Sequence, residues 1–156
     1  MRAILQRVSS ASVTIDGKET RTIGRGFVIL LGVTGTDDEH TAQLLAEKIA
    51  ALRVFEDGQG KLNLSLLDIG GAALVVSNFT LYADAKKGRR PSFVKAAGSE
   101  QADGLYRHFV RCLQAAGVTQ VKTGEFGSDM LVNIQNDGPV TLILDSEELF
   151  PCKSNS

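Results

Sequence analysis

Histidine and cysteine are both scarce: the chain holds only His40 and His108, and only Cys112 and Cys152. Both histidines fall in stretches predicted as helix, so a histidine-based triad or metal site has little to build on. Two cysteines so far apart form neither a disulfide framework nor a zinc knuckle, and such sparing use fits a reducing compartment, the cytoplasm. The signatures G-x-S-x-G, H-E-x-x-H, C-x-x-C and the Walker phosphate loop are all missing. No apolar stretch approaches the ~20 residues of a bilayer-crossing helix, the longest run being Phe27 to Leu31. Met1 to Val8 mixes charged and apolar residues without the apolar centre of an export signal, so a soluble, cytoplasmic protein is expected. An excess of one charge is missing too. Lys plus Arg number 17 against 18 for Asp plus Glu, a net −1 that excludes a globally basic nucleic-acid coat and an acidic tail protein alike. An enzyme made from this chain works mostly without side-chain acid–base groups, and neither a metal nor an organic cofactor is expected.

What is present is a chain of 156 residues, 43% apolar, enough for one domain with one sizeable core. Short β-branched stretches at Ala3 to Val8, Ala11 to Ile15 and Phe27 to Leu31 read as strands, the first of them antiparallel, with Asp16-Gly17 as a hairpin signal. Thr36 and Glu39 have capping-box spacing and predict a helix whose apolar stripe is Ala42, Leu45, Ile49 and Leu52. Lys61 to Leu66 alternates at period two, and Ala72 to Val76 is wholly apolar, as a buried central strand would be. Ser99 is the expected cap of a second helix that buries Leu105, Phe109, Cys112, Leu113 and Ala116 and closes at Gly117. Strands Val118 to Thr123, Met130 to Gln135 and Val140 to Leu144 follow. These elements predict an α+β domain over residues 1–156, a curved, largely antiparallel β-barrel-like sheet covered by two main helices, with 146–156 a loosely ordered tail and Ser154 to Ser156 disordered.

Three stretches could carry chemistry. Ser77-Asn78-Phe79-Thr80-Leu81 leaves the apolar strand where backbone N–H groups stop being used by a ladder, and such donors can hold an oxyanion; hydroxyls capping a plain strand end are the commoner outcome. Asn136-Asp137-Gly138-Pro139-Val140-Thr141 joins two apolar stretches, and because proline donates nothing to a ladder, Gly138-Pro139 sits at a turn, bulge or edge, most simply a hairpin turn. Asp84 to Lys95 holds five cationic residues, Lys86, Lys87, Arg89, Arg90 and Lys95, against one acidic residue, Asp84. Such a run is commonly a solvated loop, but it also suits nucleic-acid phosphates.

Together, Ser77 to Leu81, Arg90-Pro91-Ser92-Phe93 and Asn136 to Thr141, with the opening Gln6-Arg7-Val8 and Ala11-Ser12-Val13, resemble the D-aminoacyl-tRNA deacylase family, over Met1 to about Leu144. The resemblance implies hydrolysis of the ester between a D-amino acid and the 3′-terminal adenosine of tRNA, with glycyl-tRNA, including that mischarged on alanine tRNA, as a further substrate. It implies a homodimer acting on aminoacyl-tRNA and not on DNA or membranes, with the site at the subunit interface. There Ser77, Asn78, Phe79 and Thr80 are catalytic. Gly138 and Pro139, joined by a cis bond, enter the partner's pocket, where their carbonyls receive the substrate's ammonium group and leave no room for an L side chain. Arg7 and Asn136 support that loop, and Lys86, Lys87, Arg89 and Arg90 are the expected tRNA contacts. Asn78 replaces the family's usual glutamine and is shorter by one methylene. The acidic tail, with Asp145, Glu147 and Glu148, extends past the family's usual end. Two alternatives stay open: a catalytically silent tRNA-binding module, and a relative of relaxed chirality that accepts L-alanyl esters.

Overall fold

A computed structural model describes residues 1–152. Its centre is a six-stranded mixed sheet, built on β1 (Arg2–Ile15), β2 (Glu19–Ile23), β3 (Gly26–Gly32), β6 (Ala72–Ser77), β7 (Gln120–Thr123) and β8 (Met130–Asp145). A small separate ribbon pairs β4 (Phe55–Glu56) with β5 (Leu62–Leu64), shorter than the alternating stretch suggested. β1 is the organising strand. It pairs antiparallel with β3 through its first half, with β2 through its second, and with β8 along its whole length.

The sheet is largely antiparallel, as expected, with β1 antiparallel to β2, β3 and β8, but β3–β6 and β6–β7 are parallel pairs. The physical signal lies in composition. A strand buried on both faces loses its period-two alternation, and β3 and β6 are apolar almost throughout. Phe27, Ile29, Leu31, Ala73 and Val75 face a core beneath the helices. Val28, Ala72, Leu74 and Val76 face a second core, shared with Val8, Val13 and Ile23, inside the curl of the sheet. At Gly26 the chains of β3 and β6 approach so closely that a Cβ would lie 1.8 Å from Ala72 O, so only glycine fits.

Helix α1 (Glu39–Ala51) buries Ala42, Leu45, Ala46, Ile49 and Ala50 on the first core. Its cap is Asp38, accepting from Thr41 N at 2.8 Å, and not Thr36. The shift has a cause in Asp37, whose carboxylate is buried, accepting from Thr34 N at 2.8 Å and holding the ammonium group of Met1. Helix α2 (Ser99–Ala115) is capped at Gly98 with no side-chain bond, one residue before the expected Ser99, and Gly117 closes it at φ +110°. It buries Ala102, Leu105, Tyr106, Phe109 and Leu113, while Cys112 and Ala116 are only half-buried.

Where a loosely held tail was expected from residue 146, a helical turn α3 (Ser146–Leu149) forms instead, capped by the Asp145 carboxylate on Glu147 N at 3.0 Å. Ser146 is buried and its hydroxyl receives the Met1 ammonium at 2.7 Å. The expectation for Ser154 to Ser156 lies outside the described residues.

Between β2 and β7 the sheet comes close to closing on itself without a ladder. Arg21 spans that seam, donating from Nη1 to Thr123 O at 2.8 Å and Gly124 O at 3.3 Å.

Candidate active-site cleft

A cleft of about 630 Å³ opens at the end of β6. One wall is Ser77, Asn78 and Phe79 with Phe93; the floor is Ala97 to Ser99 and Ala102 at the start of α2; the far wall is Phe126 to Met130, the loop between β7 and β8. β6 reaches it as an apolar strand that turns abruptly polar, and Asn78 N donates to Leu31 O at 2.8 Å as the last link to β3. The chain then tightens into a 3-10 turn, Phe79–Tyr82. The N–H groups opening such a turn have no partner within it, and those of Phe79 and Thr80 take part in no backbone bond outside it.

Asn78 does not cap the turn; its Oδ1 accepts the hydroxyl of Thr80. An amide oxygen accepts a hydrogen bond but has no basicity with which to remove the proton, so Thr80 is held in place, not activated. Phe79 is 57% exposed and Phe93 38%, their rings 5.1 Å apart and edge to face, an apolar lip on an otherwise polar opening.

The cationic loop grows from this lip. Asp84 and Ser92 exchange two backbone bonds of 2.8 Å and close a narrow neck, with Gly88 in the left-handed region at the tip. Lys86, Lys87, Arg89 and Arg90 are exposed, and among the described residues none has a carboxylate partner. Asp84 serves the neck: the Lys86 N–H, then Lys95 and Lys86 charges, hold its carboxyl below the usual range.

Gly138 and Pro139 lie elsewhere on the same chain and do not line this cleft. The hairpin-turn reading of Asn136 to Thr141 is overturned: residues on both sides of the segment pair with the same strand, β1, with register shifts between Gln6 and Val8 and between Val8 and Ser10. The segment is therefore a bulge in one strand, β8, which lifts an exposed Gly138-Pro139 out of the ladder. Their peptide is cis.

Two side chains, Arg7 buried and Asn136 half-buried, hold the bulge. Arg7, 6% exposed, donates from Nε to Asp137 O at 3.1 Å and from Nη1 to Val54 O at 2.9 Å. Asn136 Nδ2 donates to Arg7 O and Val140 O, both at 3.0 Å, stapling the neck. Sequence reasoning reached Arg7 and Asn136 only through the family resemblance. It missed the far wall, Phe126 to Met130, and the floor from α2, since a polar, glycine-rich loop carries no mark of what it will face. Among the described residues, no group of three His, Cys, Asp or Glu side chains could hold a metal, and no helix is long and apolar enough to cross a membrane.

The architecture and cleft define the class first. A solved structure titled "c-Myc DNA Unwinding Element Binding Protein" superposes with TM-score 0.87 at 43% identity, covering 93% of this chain and 98% of that one. A second, a probable eukaryotic D-amino acid tRNA deacylase, shares the fold at TM-score 0.78 and 17% identity over 92% of this chain and 97% of that one. These are mixed-sheet α+β proteins of one fold. Residues 4–145 match the sequence model of the D-Tyr-tRNA(Tyr) deacylase family, and the chain belongs to that family. It is 55% identical over 150 residues to a D-aminoacyl-tRNA deacylase of Symbiobacterium thermophilum, covering 96% of this chain and 99% of the relative. To that of Thermomicrobium roseum it is 58% identical over 149 residues, covering 96% of each.

Proposed function

We propose that this protein hydrolyses the ester of D-aminoacyl-tRNA, releasing a free D-amino acid and reusable tRNA. The observation that carries the reading is the turn at Phe79, where two unpartnered backbone N–H groups adjoin an apolar-lipped cleft in a chain of this family. Water attacks the ester carbonyl, assisted by the terminal ribose 2′-hydroxyl. The tetrahedral oxyanion is received by Phe79 N–H and Thr80 N–H, donors commonly worth ~2.7–4 kcal/mol each. Collapse breaks the bond to the ribose 3′-oxygen, which leaves with the proton. Thr80 positions, and Asn78 holds Thr80; the local bond between them needs no longer side chain than asparagine.

Two copies of the chain complete the site in this reading. Gly138-Pro139 of each reaches into the cleft of the other, reads the α-carbon and rejects L esters, while glycine, lacking a side chain, escapes the filter. The exposure of the bulge, and the absence of Gly138 and Pro139 from the lining of their own cleft, support this arrangement. Lys86, Lys87, Arg89 and Arg90 meet the tRNA backbone, and the site of action is the cytoplasm.

Hydrolysis of D-tyrosyl-, L-tyrosyl- and glycyl-tRNA by the purified protein tests the reading. Loss of the D and glycyl esters with the L ester spared is expected. Inertness toward all three overturns it in favour of a tRNA-binding module, and equal loss of the L ester removes the chirality filter.

A further inference from the structure

The hairpin β1–β2 carries two features that the reaction leaves unused, one ending on the far wall of the cleft and the other on the residues just before it. Asp16, at its turn, has φ +51°, the one non-glycine residue in the left-handed region among the described residues. It sits there while gripping Asp129 twice: its N–H donates to Asp129 O at 2.8 Å, and its Oδ1 accepts from Asp129 N at 3.1 Å. Arg21, across the hairpin, grips the other end of the same loop. Beyond its bonds to Thr123 O and Gly124 O, its Nη2 pairs with Glu125 at 2.8 Å, while Nε is steadied by Glu19 at 3.0 Å. Between these grips lie Phe126, Gly127 and Ser128, which with Asp129 and Met130 line the cleft opposite Ser77 to Phe79.

We infer that the β1–β2 hairpin is a positioning clamp for the substrate cleft, with Asp16 and Arg21 setting the far wall at a fixed distance from the catalytic turn. Aspartate is at home in this Asp-Gly turn, where both residues have positive φ, and its carboxylate adds the acceptor for Asp129 N that glycine would lack. Neither Asp16 nor Arg21 touches the catalytic turn, so the clamp governs how the substrate is held and leaves the oxyanion donors alone. The functional half of this inference rests on the deacylase reading; the mechanical half does not.

Asp16→Gly keeps the turn geometry and the backbone bond to Asp129 O but removes the side-chain acceptor, Asp16→Asn keeps an acceptor at the same place, and Arg21→Gln releases the other end. Amide hydrogen exchange of the 124–130 segment and steady-state hydrolysis of D-tyrosyl-tRNA are measured together. We expect exchange in that segment to rise at least tenfold in Asp16→Gly and Arg21→Gln, KM to rise three- to tenfold with kcat within twofold, and Asp16→Asn to restore both. Unchanged exchange in both variants overturns the clamp, whatever the activity. Faster exchange with unaltered KM shows that the wall does not hold substrate and overturns the functional half. Faster exchange in a protein whose wild type cleaves no ester leaves the clamp standing and sinks the deacylase reading instead.

Discussion

The hydroxyl of Thr80 donates a hydrogen bond to the Asn78 amide oxygen and keeps its proton, and this one contact separates two mechanisms. A nucleophile stripped of its oxygen loses the reaction outright; a positioning group costs far less. Thr80→Ala is therefore expected to lower kcat by no more than about tenfold, about 1.4 kcal/mol, with no covalent intermediate trapped on quenching with either enzyme. Gly138 gives a sharper case. Its φ is +127°, and a Cβ there would lie 2.9 Å from Val140 N and 3.1 Å from Arg7 Nη2. Gly138→Ala should displace the bulge, cutting D-tyrosyl-tRNA hydrolysis by at least a hundredfold while the melting temperature falls only slightly, since the bulge is exposed. At this scale the strand end at Ser77 to Thr80 and the break at Gly138-Pro139 were legible by residue type, while Arg7 and Asn136 stood out only through the family resemblance. What the sequence withheld was reach, such as the span from Arg7 to the carbonyl of Val54.

Helix α2 is tied to β6 by one polar bond inside the core, from Tyr106 Oη to Val75 O at 2.7 Å. Burial pushes the Tyr106 phenol up to about 12, and burial likewise raises that of Tyr82. A phenol ionising near 10 when unfolded and near 12 when folded holds its proton more tightly in the fold. Its stabilisation is complete below about pH 10 and is lost as pH climbs from 10 through 12. Since Tyr106 and Tyr82 are the chain's two tyrosines and tryptophan is absent, phenolate absorbance should show both groups titrating above 10 in native protein and near 10 in denaturant, with unfolding following ionisation. Helices and strands were legible through periodicity, but two features were not. Apolar runs mark β3 and β6 as doubly buried without giving their direction, so their parallel pairing stayed hidden. Two apolar stretches around a Gly-Pro pair look alike whether they form a hairpin or one bulged strand.

For the molecule as a whole, the dimer proposed above needs a surface, and β8 offers one. β8 pairs only with β1 among the described strands, so its outer edge is free, and Leu131 and Ile143 on it are 66% and 73% exposed. Free backbone groups beside exposed aliphatic side chains form an edge that invites pairing. On the proposed reading the wild type sediments as a dimer, and Leu131→Asp combined with Ile143→Asp yields a folded monomer whose hydrolysis drops at least a hundredfold, because no bulge reaches the other cleft. A monomeric wild type with full activity would sink the shared site.

The pairing of β1 with β8 also bears on how the protein is made. Arg2 and Asp145, bonded at 2.9 Å, stand 143 positions apart in sequence. While β8 is still within the ribosome, β1 can meet β2 and β3 but keeps one long flank bare. Closure across so great a sequence distance is slow, in the millisecond-to-second range of β-rich domains. A nascent chain of this protein thus emerges with its central strand waiting for its last one, and until β8 arrives that bare flank is the part of the fold most open to mispairing.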